Sequence, residues 1–104
     1  MAQQVGFAVV YTFEVHEGRD EEFVAAWSRM TELIRDHRGG LGSRLHRDEQ
    51  GRFVAYAQWP SREVFDADTP LPSEAEPVLA AMRATIASRE EPWFLEPERD
   101  LLVR

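Results

Sequence analysis

FVAYAQWPSREVF, residues 53–65, reads as a β-strand that passes directly into a helix. Phe53, Val54, Tyr56 and Trp59 are of the β-branched and aromatic types that suit a pleated, half-buried surface. Pro60 has no N–H to donate and biases Trp59 towards extended backbone, so the strand stops there. Ser61 is then a good N-cap, and Glu63 falls in the first turn, where the helix dipole favours an anion. Val64 and Phe65 begin the helix's apolar side. A large indole is thereby fixed where a sheet meets a helix start, a common place for a small-molecule site.

Working outward, residues 5–15 alternate. Val5, Phe7, Val9, Tyr11, Phe13 and Val15 form a bulky face; Gly6, Ala8, Val10, Thr12, Glu14 and His16 form a smaller one. After the Glu17-Gly18 turn, a helix is expected over about 19–37. Phe23, Trp27, Met30 and Ile34 make its apolar stripe, and Gly39-Gly40 its left-handed stop. A weaker, more polar strand covers 41–48 and turns through 48–52 into the antiparallel strand 53–59. The helix begun at Ser61 fades at Asp68, where Pro70 and Pro72 follow. Ser73 and Glu76 look like a capping box for a second segment whose buried face is Val78, Leu79, Met82 and Ile86. The last strand is expected at 92–95 and 101–103, interrupted at Pro97 and therefore at an edge. The order is β-α-β-β-α-β: an α+β, ferredoxin-like fold with a four-stranded antiparallel sheet and both helices on one face, in one domain spanning 1–104.

At 104 residues the chain is long enough to bury roughly two-thirds of its unfolded surface. There is no Cys, which removes disulfides and thiolate chemistry, and no Lys, which removes a Schiff-base amine. The net charge of −7 argues against nucleic acid and anionic membrane as partners. The first residues lack a basic signal region and no apolar run is long enough to span a bilayer, so a cytoplasmic protein is expected. The first strand's small apolar face would be a sticking hazard if left wet, and packing against a second copy about a two-fold axis covers it. A homodimer is expected.

Several pieces together resemble the antibiotic biosynthesis monooxygenase family of the dimeric α+β barrel superfamily. They are the opening strand ending in Glu17-Gly18, the helix start Asp20-Glu21-Glu22-Phe23 with Trp27, GGLGSRLHRD at 39–48, and Trp59-x-Ser61-x-Glu63-x-Phe65. The resemblance implies a dimeric barrel and, in the oxygenases of the family, a cofactor-independent reaction on a phenolic, in some cases polyketide-derived, substrate that itself supplies electrons to dioxygen. No cofactor is then expected. The family's haem-degrading branch resembles a constellation of an Asn on the first strand, a Trp on the second helix and a His further along it. This sequence has no Asn, the first-strand position falls on Tyr11, and its last His is His46. Haem degradation is therefore not expected.

Candidate chemistry rests on few side chains. The resemblance puts Tyr11 at the pocket-lining position, where its hydroxyl would orient or help deprotonate a phenol; the plainer reading is a core tyrosine. His46 has the side chain whose ordinary pKa suits a general base, against the plainer reading of an exposed strand histidine. Trp27 and Trp59 are candidate walls for a flat aromatic ligand, with Tyr56 and Arg44 as further substrate contacts. If Trp59 faces the helices, Tyr56 faces the other way, and alternation alone leaves the assignment open. The three His show no ligand spacing, so no metal site is expected. Three readings stand: an aromatic oxygenase, a module that binds a hydrophobic small molecule without turnover, and a structural dimer. The expected pocket lies between sheet and helices, lined by Tyr11 and Trp27, bounded by Trp59, and opening near 68–72.

Overall fold

Nine residues of unbroken alternation make β1, Phe7–Val15, the centre of the sheet. The structure, a computed structural model, describes residues 5–103. After β1 come α1 (Asp20–Arg38), β2 (Ser43–Arg47), β3 (Phe53–Trp59), α2 (Arg62–Asp66), α3 (Ala75–Thr85), β4 (Ile86–Arg89) and β5 (Trp93–Leu95). The antiparallel sheet runs β2-β3-β1-β4, and β5 pairs with β1 along the same edge as β4. This is the ferredoxin-like arrangement.

The strand-to-helix join forms as its chemistry dictates. Ser61 is extended at φ −161° and its Oγ accepts from the Val64 N–H at 3.2 Å, which caps α2. α1 carries Asp20, Glu21 and Glu22 in its first turn and Arg35, His37 and Arg38 in its last, both matched to the dipole, and stops at Gly39 with φ 78°. The β1–β3 register pairs Phe7 with Trp59, Val9 with Ala57, Tyr11 with Ala55 and Phe13 with Phe53. Paired residues share a face, so Trp59 stands with Tyr11 on the bulky face. Tyr56 stands with Val10 on the other.

Three local expectations are corrected. The last edge strand is 86–89 plus 93–95, broken at 90–92, and 101–103 is not a strand. Ile86 belongs to that strand and not to the helix before it. The reason is tertiary. The β-branched Thr85 and Ile86 reach the free edge of β1, where the His16 N–H donates to the Thr85 carbonyl at 2.8 Å and the Glu90 N–H to the Thr12 carbonyl at 3.0 Å. The capping box is also replaced: Glu74 is the cap of α3 with no side-chain capping bond, and the Glu76 N–H donates to the Ser73 backbone carbonyl at 3.3 Å.

The core has three parts. Phe23 of α1 is fully buried between Phe13 and Phe53, with ring centroids 5.4 and 4.8 Å away. Phe7, Val9 and Trp59 form a second cluster, with Phe65 of α2 edge-on to the indole at 5.3 Å. Met30, Leu33 and Ala75 join α1 to α3. α3 thus rests chiefly on α1 and touches the sheet little. Space remains beneath it.

Candidate functional site

That space is a cavity of about 520 Å³ between the sheet and α1 and α3. β1 supplies Tyr11 and Phe13, α1 supplies Trp27, Met30 and Ile34, and α3 supplies Leu79 and Met82. Trp59 and Ala57 of β3 line it as well, as does Leu71 of the Pro-containing loop. That loop is tied to the end of α1. The Arg38 Nε donates to the Thr69 carbonyl at 2.7 Å, and its guanidinium pairs with Asp68 at 3.1 Å.

Tyr11 is half-buried, its ring stacked on Phe13 at 6.2 Å, and its hydroxyl makes no hydrogen bond among the described residues. Burial pushes the phenol's pKa above its ordinary 10, while the Arg89 charge acts the other way. Tyr11 is therefore a neutral phenol at neutral pH. It can donate or accept a hydrogen bond but is not a base. Because the folded-state value is the higher one, any stability tied to this group is intact below pH 10 and is lost only as pH rises through the raised value.

Four arginines, Arg35, Arg38, Arg83 and Arg89, line the cavity, and among the described residues no carboxylate or imidazole does. Arg35 pairs with Asp36 at 3.2 Å. The guanidinium groups of Arg83 and Arg89 make no ion pair or hydrogen bond among the described residues. Among those residues there is also no cluster of three or more His, Cys, Asp or Glu that could hold a metal.

The fold divides the sequence's candidates between two faces. Tyr11, Trp27 and Trp59 meet in the cavity. Arg44, His46 and Tyr56 lie across the sheet, where Arg44 pairs in register with Tyr56 and His46 with Val54. There Arg44 and Tyr56 border a shallower hollow of about 280 Å³, and the Arg44 Nε donates to His46 Nε2 at 3.0 Å. The imidazole lone pair is thus engaged, on the face away from Tyr11. Sequence reasoning missed Arg83 and Arg89. Reading Ile86 as the last residue of a helix's buried face, with no strand begun there, hid Arg89, whose side is set only by its pairing with Phe13.

The family model described as antibiotic biosynthesis monooxygenase matches residues 6–69. No curated protein matches the chain significantly. Among solved structures, SnoaB, a cofactor-independent oxygenase from Streptomyces nogalater, superposes with a TM-score of 0.75 at 21% identity, over 94% of this chain and 98% of that one. A Caulobacter crescentus protein named for the antibiotic biosynthesis monooxygenases superposes with a TM-score of 0.73 at 19% identity, over 93% of each chain. A conserved protein of Methanosarcina mazei does so at 0.72 with 10% identity, over 92% of this chain and 96% of that one. At such identities the structural likeness is one of fold. No described helix is long and apolar enough to cross a membrane.

Proposed function

The chain belongs to the antibiotic biosynthesis monooxygenase family, and from that premise we propose that its cavity oxidises a flat, electron-rich phenol with dioxygen, the substrate itself supplying the electrons. The observation that carries this reading is the unpartnered Tyr11 hydroxyl in a cavity walled by Trp27 and Trp59. A planar ring system fits between aromatic and aliphatic walls, with one polar group to orient it. As a neutral phenol, Tyr11 donates to the ionised substrate oxygen and steadies the electron-rich form that meets dioxygen. In the simplest balance a ring methylene becomes a carbonyl. One oxygen atom enters the product, the other leaves as water, and all four electrons come from the substrate.

Oxygen uptake with a panel of phenols and quinols tests this. Consumption of one dioxygen per product, with one labelled oxygen retained, is expected. A second reading, binding without turnover, is favoured by the lack, among the described residues of the lining, of a carboxylate or imidazole to take the substrate's proton. It predicts a ligand-induced rise in melting temperature with no oxygen uptake.

Tyr11→Phe should leave the fold intact and weaken turnover or binding by about 1 kcal/mol or more, roughly five-fold, the scale of one hydrogen bond. Ultraviolet titration should show that the phenol lost in this variant is one that ionises above pH 10 in the wild type. Unchanged ligand behaviour would reduce Tyr11 to a core residue.

The face opposite the cavity belongs, on this reading, to a homodimer. Ala8, Val10 and Thr12 line it on β1, and beside them Trp93 and Leu95 are 66% and 40% exposed. Ala8 is already buried within the single chain and Val10 and Thr12 are half-buried, so the apolar surface left to be covered is chiefly that of Trp93 and Leu95. His46, Arg44 and Tyr56 then sit at the subunit interface and not in the chemistry. Light scattering at micromolar concentration should give twice the 12.0 kDa chain mass; a monomer mass would refute the dimer.

A further inference from the structure

We propose that the cavity takes an aromatic carboxylate, its rings between Tyr11, Trp27 and Trp59 and its carboxylate at the mouth, held by Arg83 and Arg89. The ring half rests on the reading of the cavity given above; the carboxylate half rests on charge. The chain carries nineteen acidic and twelve basic residues, so arginines have carboxylates in easy reach. Arg19 holds Glu22 at 2.7 Å, Arg52 holds Asp48 at 2.8 Å, and Arg47 holds Asp20 at 3.1 Å.

Among the described residues Arg83 and Arg89, like Arg44 and Arg99, pair with no carboxylate, but Arg83 and Arg89 both line one cavity in which no described residue is acidic. Arg83 lies in the last turn of α3, where the helix dipole favours a cation, but its donors bond to no described residue. Arg89 comes from the neighbouring β4, on the side of Phe13 and the cavity. Two like charges facing one space repel unless an anion lies between them. Each guanidinium offers a planar fork of N–H donors that matches a carboxylate in bidentate fashion. The remaining arginines of the lining, Arg35 and Arg38, are already engaged by Asp36 and by Asp68 with the Thr69 carbonyl. The available positive charge is therefore localised at the end of the cavity formed by α3 and β4. Arg89 also acts on Tyr11 electrostatically, which puts this charge within reach of the ring site.

The test is titration of tryptophan fluorescence with 3-hydroxy-2-naphthoic acid, its methyl ester and 2-naphthol. The acid should bind at least about ten-fold more tightly than the ester, the scale of a charge-assisted pair at a partly exposed site. Added sodium chloride should narrow that gap by screening. Arg83→Gln and Arg89→Gln should each weaken the acid several-fold and leave the ester unchanged, and the double variant should bind both alike. Both side chains are exposed, so circular dichroism should show native folding. Equal binding of ester and acid, or a preference for the acid that survives the double variant, would overturn the carboxylate site while leaving the aromatic cavity standing. Failure of all three compounds to bind the folded chain would remove both.

Discussion

Replacing Phe23 by alanine should cost about 3–5 kcal/mol of folding stability, the usual loss when a buried aromatic ring is deleted. Phe23 is 0% exposed and is wedged between β1 and β3, against Phe13 and Phe53. Deleting it removes the transfer free energy of the ring and leaves a void that Ala55 and the two flanking rings, fixed on paired strands, cannot collapse to fill. Against a total stability of about 5–15 kcal/mol, this is a large fraction. The melting temperature should fall by roughly 15 °C or more for a chain of this size. Urea denaturation at matched protein concentration is the measurement, because any dimer ties stability to concentration. A loss below about 1 kcal/mol would show that α1 is not held to the sheet by this ring. Phe23 does not line the cavity, so ligand affinity per folded molecule should be unchanged.

Trp59→Ala should cost a similar amount, about 3–5 kcal/mol, but with a functional consequence that Phe23→Ala lacks. The indole is 5% exposed, sits in the cluster with Phe7 and Val9, and also forms a cavity wall. Its backbone is held where the chain turns: the Gly6 N–H donates to the Trp59 carbonyl at 3.0 Å. Gly6 lies so close to the Pro60 carbonyl that a β-carbon there would collide with it. Truncation therefore opens the cavity into the core without letting the backbone relax. Trp59→Phe keeps most of the volume and should recover much of the stability, so ligand binding is best read on that variant. A drop in affinity for flat aromatics in Trp59→Phe, with the fold preserved, assigns the indole a stacking role. Affinity equal to wild type would make it a core residue only.

Local chemistry sufficed for much of the architecture. Proline's missing N–H ends β3, a serine hydroxyl caps α2, period-two alternation marks β1, and Gly39 closes α1. These signals act between residues a few positions apart, so they survive in a sequence read without coordinates. The β-α-β-β-α-β order follows from them, and so does the facing of Tyr11 and Trp27, because the alternation of β1 puts Tyr11 on its bulky face and helix spacing puts Trp27 on the apolar stripe of α1.

What the tertiary structure alone decided lies wherever two readings were locally equal. Alternation separates Trp59 from Tyr56 but does not say which faces the helices; the register that seats Trp59 opposite Phe7 does. Thr85 and Ile86 continue the α3 pattern as well as they begin a strand, and the unpaired edge of β1 selects the strand. That choice turns Arg89 towards the cavity. His46 and Arg44 carry suitable chemistry, yet β2 pairs in a register that puts them across the sheet from Tyr11. Composition and spacing fix which side chains are available and which neighbours share a face. Only the pairing of distant strand edges, a non-local choice made by backbone hydrogen bonds and burial together, decides which of those faces encloses the cavity.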